Sequence, residues 1–173
     1  MATAAKKTTK PNKTRKPQDV TALLRADHKV VSELFAAYEN TRSTPKKKSL
    51  VSKICTELTV HAQVEEEIFY PAVKQALKDR QLVPEATVEH ATLKAIISQV
   101  QGVEPDGEIF DAKIKVLSEY VKHHVKEEQN EIFPRAKATK LDMMELGRRM
   151  AERKKVLVGE RAQPVVAPDL KVG

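Results

Sequence analysis

Apolar residues recur at steps of three and four in four separate stretches. Leu24, His28, Val31, Phe35 and Tyr38 form the first, and Ile54, Leu58, His61, Glu65 and Ile68 the second. Ala86, His90, Leu93, Ile97 and Val100 form the third; Phe110, Ile114, Leu117, Val121, His124 and Glu128 the fourth. Such steps keep side chains on one face of an α-helix, so each stretch predicts an amphipathic helix turned toward a shared core. Asp19 caps a first helix running to about Asn40. Thr44 followed by Pro45 starts a second that reaches about Tyr70, where Pro71 kinks or stops it. Pro84 opens a third ending before Gly102, and Asp106 caps a fourth lasting until just before Pro134. A fifth helix is predicted from about Asp142 to Val156. Long helices with short connections predict an all-α, antiparallel up-down-up-down four-helix bundle over residues 19–157, closed by a short fifth helix at its C-terminal end.

The stripes carry an intrusion that the pattern has to explain. Each of the four helices places one histidine among its inward apolar residues: His28, His61, His90 and His124. The second and fourth add Glu65 and Glu128 four residues further on, one turn away on the same face. A carboxylate in an apolar core costs several kcal/mol unless it is paired or binds a metal, and no lysine or arginine stands on those stripes to pair with it. A pair of metal ions would satisfy all six groups together. Imidazole and carboxylate donors suit iron, manganese, zinc or cobalt, and two carboxylates able to bridge favour a dinuclear centre. A single histidine on an apolar face, or a surface His-to-Glu spacing, has ordinary structural explanations; four helices each supplying one inward histidine is hard to reach that way. His123 and its spacing partner Glu127 fall off the stripe, which predicts an exposed or outer role.

Composition narrows the class. Aromatic residues make up 4%, Trp is absent and Gly numbers 5 among 173 residues, a balance that fits helices. No apolar run reaches the length of about 18 residues that a membrane span requires. The lone Cys55 excludes an internal disulfide framework and is expected to pack as a small apolar group. With no apolar signal segment at the N-terminus, a cytoplasmic location is expected. The net charge of +7 sits mainly in residues 1–18, which hold six Lys or Arg and no acid. That stretch is expected to be a disordered basic tail, either a solvated extension or an arm for nucleic acid or another anionic surface. Residues 158–173 are expected to be a loose C-terminal extension.

The phrases "HAQVEEEIFYP" from His61 and "HVKEEQNEIFP" from His124, with His28 before them and "EHATL" around His90 between them, resemble the hemerythrin-like family, the HHE cation-binding domain. The resemblance covers about residues 19–157, since "LDMMELGRRMAERKK" is similar to the family's trailing helix. Glu-x-x-His pairs of ferritin-like proteins and the HExxH of zinc proteases do not occur. The resemblance implies an oxo-bridged pair of non-haem irons, with His28 and His61 on one, His90 and His124 on the other, and Glu65 and Glu128 bridging; manganese or zinc is the lesser alternative. Oxygen-carrying relatives have one more histidine a turn from the third, where this chain has Ala86 and Lys94. This leaves about two open ligand positions and points away from a pure oxygen carrier toward dioxygen, peroxide or nitric oxide chemistry in oxidative or nitrosative stress.

Tyr120, one turn before His124, is placed either to line the pocket and reach a bound ion or oxygen ligand, or to pack with its hydroxyl at the bundle edge. Glu57, one turn before His61, is a further possible ligand or an exposed helix residue. Phe69 and Phe133 read as packing residues that keep water from the site. Whether the chain is an enzyme stays open at this point. Dioxygen or iron binding without turnover, and a metal-stabilised module with a nucleic-acid-binding tail, are the alternative functions.

Overall fold

The computed structural model describes residues 18–78 and 80–162, and these fold into helices joined by short connections. Helices α1 (Val20–Glu39), α2 (Thr44–Val64), α4 (Leu82–Val100) and α5 (Gly107–Glu127) make the bundle. The second and fourth are prolonged by single π-helical turns, Glu65–Phe69 and Glu128–Ile132, into α3 (Tyr70–Leu77) and α6 (Phe133–Lys137). Helix α7 (Met143–Ala162) lies against α1 and α2. The basic stretch 1–17 and the last residues 163–173 lie outside the described residues.

Asp19 caps α1 as expected, its carboxylate accepting from the backbone N–H of Thr21 at 2.9 Å and Ala22 at 3.1 Å. Elsewhere the boundaries shift. Ser43, not Thr44, is the residue before α2, and α4 begins at Leu82, ahead of Pro84. Asp106 precedes α5 without a side-chain cap bond. Helix α7 runs past Val156 to Ala162, so part of the expected loose extension is helical.

The larger departure is at the prolines. Neither Pro71 nor Pro134 stops its helix. A proline ring collides with the carbonyl four residues back and offers no N–H to it, and here the backbone widens by one residue rather than breaking. The N–H of Tyr70 donates to Glu65 O and that of Phe133 to Glu128 O, five residues back in each case.

The core is split into two apolar clusters. One contains Leu24, Val64, Phe69, Ala86, Ile132 and Phe133, together with Leu146, Met150 and Leu157 of α7. The other contains Val31, Phe35, Leu58, Leu93, Leu117, Val121 and the buried Cys55. Burial pushes the Cys55 thiol up to about 11, in keeping with a packing role. The inward histidines and glutamates fall at the division: His28 stands between Leu24 and Val31, and His90 between Ala86 and Leu93.

Gly147 of α7 packs directly on the start of α1. A β-carbon there would collide with the Gln18 carbonyl oxygen and stand 3.0 Å from Val20 N. Exchanging glycine for alanine inside a helix ordinarily stabilises by about 1 kcal/mol. Gly147→Ala is expected to reverse that sign and destabilise by about 1–3 kcal/mol, read as a lowered urea midpoint.

Candidate metal centre

The four inward histidines and two glutamates meet in one layer, and all six are at most 7% exposed. His28 Nε2 and His61 Nε2 are 3.1 Å apart, and so are His90 Nε2 and His124 Nε2. Two imidazole nitrogens bound at right angles to one ion at about 2.1 Å each would be separated by about 3 Å, so each pair has the bite of two ligands on a common ion. Glu65 Oε2 lies 3.2 Å from His61 Nε2 and 3.4 Å from His90 Nε2, so one oxygen faces both halves. Glu128 Oε2 lies 3.2 Å from His28 Nε2.

None of the four carboxylate oxygens of Glu65 and Glu128 meets a hydrogen-bond donor in acceptable geometry among the described residues. Native structures rarely leave buried polar atoms in that state. Burial, then the charge of Glu128, pushes Glu65 well above the ordinary carboxylate range. Burial acts against Glu128 as well, but the His28 ring beside it outweighs burial and holds that group low. The donor set, four imidazoles and two carboxylates with orphaned oxygens, fits a dinuclear transition-metal site.

A ring of partners orients the histidines from outside. Gln129 Nε2 is 2.9 Å from His28 Nδ1, Glu66 Oε1 is 3.0 Å from His90 Nδ1, and Glu89 Oε2 is 2.6 Å from His124 Nδ1. Asp27 Oδ2 faces His61 Nδ1 at 3.6 Å, and Lys154 of α7 holds the other Asp27 oxygen at 2.6 Å. The Glu66 and Glu89 carboxylates can accept from Nδ1 and leave Nε2 free to face inward, the usual way a protein fixes a metal-binding histidine, whereas the Gln129 amide nitrogen donates to His28 Nδ1. These four residues escaped the sequence reading. Their signal was adjacency: each stands next to one inward residue, in the pairs Asp27–His28, Glu65–Glu66, Glu89–His90 and Glu128–Gln129, and serves a histidine of another helix.

Tyr120 is 46% exposed and does not reach the layer. The tyrosine that does is Tyr70, whose hydroxyl is 3.4 Å from both His90 Nε2 and His124 Nε2 and whose ring stacks on His90. Burial, then the nearby carboxylates, keeps the Tyr70 phenol protonated well above its usual range. An α-helical count leaves Tyr70 off the Glu65 face, but the π turn repeats every five residues and brings it round. The equivalent residue of the second phrase is Phe133, stacked on His28 at 6.1 Å between centroids, whereas Phe69 is buried beside it. Glu57 points to the α7 side, 3.5 Å from Lys154. Lys94, where a further histidine would stand, bonds Glu66 at 2.6 and 2.7 Å. The His123 side chain is 63% exposed, as expected of a residue off the stripe.

A family model described as the hemerythrin HHE cation-binding domain matches residues 19–136. A protein of Nostoc sp. named a DNA nickase is 25% identical over 119 residues, a match covering 69% of this chain and 34% of that protein, so the chain spans about a third of that relative's length. The crystal structure of a hemerythrin HHE cation-binding domain-containing protein from Mycobacterium kansasii superposes with a TM-score of 0.70 at 22% identity. That match covers 83% of this chain and 89% of the other, and it shows a shared fold.

Burial, followed by the charges of His124 and His61, lowers the His90 ring from 6.5 to about 4. A depressed histidine favours folding above its unfolded value, and that contribution disappears as pH falls toward the folded one. The chelated protein is expected to lose roughly 3 kcal/mol between pH 6.5 and 4 from His90. Urea unfolding across that range should show the loss, and His90→Gln should flatten it.

Proposed function

The chain belongs to the hemerythrin HHE cation-binding domain family, and from that premise we propose that its buried layer holds a pair of iron ions that react with small oxidants. The observation that carries the reading is the Glu65 oxygen shared by both halves, together with four buried carboxylate oxygens that lack donors. His28 and His61 serve one ion, His90 and His124 the other, and Glu65 and Glu128 join the two. Manganese and zinc are the lesser alternatives for the same donors, and zinc has no redox chemistry to offer. When bound, two irons supply electrons to dioxygen, peroxide or nitric oxide, a capacity suited to oxidative or nitrosative stress.

The protein's own residues then set access and protons. A cavity of about 20 Å³ opens on the layer between Val31, Leu58, Leu93 and Val121. Its size admits a diatomic or peroxide-sized ligand and little more, and its apolar walls keep bulk water away from the histidines. On the His90 and His124 side, Tyr70 keeps a phenolic proton within reach of whatever that half binds, while Phe133 offers the other half only an apolar ring. The two halves are therefore chemically unequal.

A second reading adds nucleic acid as a partner through residues 1–18. It draws on their six basic side chains and on the nickase name of the Nostoc relative. Salt-sensitive retention on DNA that disappears from a chain lacking residues 1–18 supports it; equal retention removes it.

Metal content is the decisive test of the main reading. Freshly purified protein is expected to contain close to two irons per chain, with charge-transfer bands that change when peroxide is added. His61→Ala and Glu128→Ala should lose metal and lower thermal stability, whereas His123→Ala should keep both ions. Equal metal loss in all three variants, or zinc alone in the parent chain, sinks the proposal.

A further inference from the structure

A second cluster of donors lies just outside the buried layer. Glu89 comes from α4, His123 and Glu127 from α5, and their donor atoms all lie within 4.8 Å of one another. His123 Nε2 is 3.2 Å from Glu127 Oε1 and 3.6 Å from Glu89 Oε1. The other Glu89 oxygen is the one that holds His124 Nδ1. Among the described residues no lysine or arginine forms an ion pair with Glu89 or Glu127. One imidazole with two carboxylates that no lysine or arginine neutralises is a donor set for a divalent transition-metal ion.

The independent observation is what lies behind the cluster. A cavity of about 120 Å³ is lined by Glu85, Glu89, Glu127 and Glu131 and reaches His124 and Glu128. Glu128 is completely buried, and both its oxygens lack a donor. A row of carboxylates thus runs from the exposed His123 to an orphaned carboxylate of the centre. The small cavity between Val31, Leu58, Leu93 and Val121 also touches the layer, but it holds no carboxylate and has the Lys94 cation in its wall, so it is a poorer path for a hydrated cation. We propose that Glu89, His123 and Glu127 form a third, outer cation site that captures a divalent transition-metal ion and passes it along the acidic cavity to the buried centre. The delivery step rests on reading that centre as a metal site; the outer binding does not.

Capture at the mouth should matter chiefly to rate. Acidic clefts raise cation arrival by factors of ten or more. The test is an anaerobic Mn²⁺ titration of the full chain and of a His123→Ala/Glu127→Gln double variant, following free Mn²⁺ by electron paramagnetic resonance and filling by stopped flow. The parent chain is expected to bind a third, weaker equivalent beyond two tight ones. The double variant should lose that equivalent alone and fill the tight pair roughly tenfold more slowly, with unchanged circular dichroism. Equal stoichiometry and equal filling rates in the two proteins overturn the proposal. A single weak equivalent in the parent, absent from the double variant, upholds the outer site and instead overturns the reading of the buried centre.

Discussion

Two carboxylates and four imidazoles buried in one layer are the constraint to which the rest of the molecule answers. An apolar bundle has no reason to place Glu65 and Glu128 at zero exposure without donors. The layer divides the core, and each apolar cluster packs against one side of it. It also requires that every histidine present Nε2 inward, and the outer ring of Asp27, Glu66, Glu89 and Gln129 supplies that orientation. Without a cation the arrangement is expensive, because isolated buried charge is among the costliest things a fold can contain. The layer is therefore written for a ligand that neutralises it.

The π turns show how local backbone serves the same layer. Both begin on an inward glutamate and end one residue before the aromatic that packs on a histidine. The proline that follows each aromatic would break a regular helix; the widened turn absorbs it and rotates Tyr70 and Phe133 over His90 and His28. Two copies of one phrase thereby give two halves with the same geometry and different chemistry, phenol on one side and phenyl on the other.

Helix α7 ties the bundle to the site more closely than a trailing helix need do. Leu146, Met150 and Leu157 complete one apolar cluster, and Lys154 reaches across to Asp27 behind His61. Gly147 lets the helix approach the cap of α1 closely enough for that reach. Packing at the periphery is thus linked to the setting of one ring in the layer.

The sequence by itself determined the helices, the bundle and the six inward residues, because a period of three and four is a local property and a histidine on an apolar stripe is visible in it. It also determined that His123 stands apart, since that residue is off the stripe. Tertiary structure decided the rest. Tyr70 rather than Tyr120 meets the layer because a π turn changes the period that the count relied on. Asp27, Glu66, Glu89 and Gln129 hold histidines on other helices, and pairing across helices depends on how neighbours are rotated and spaced, which no step along one chain encodes. The prolines could be read only as kinks or stops, because whether a backbone stops or widens at a proline is settled by what the packed residues beyond it gain. Here that gain is the contact of Tyr70 and Phe133 with the buried rings, and it exists only once the four helices are assembled.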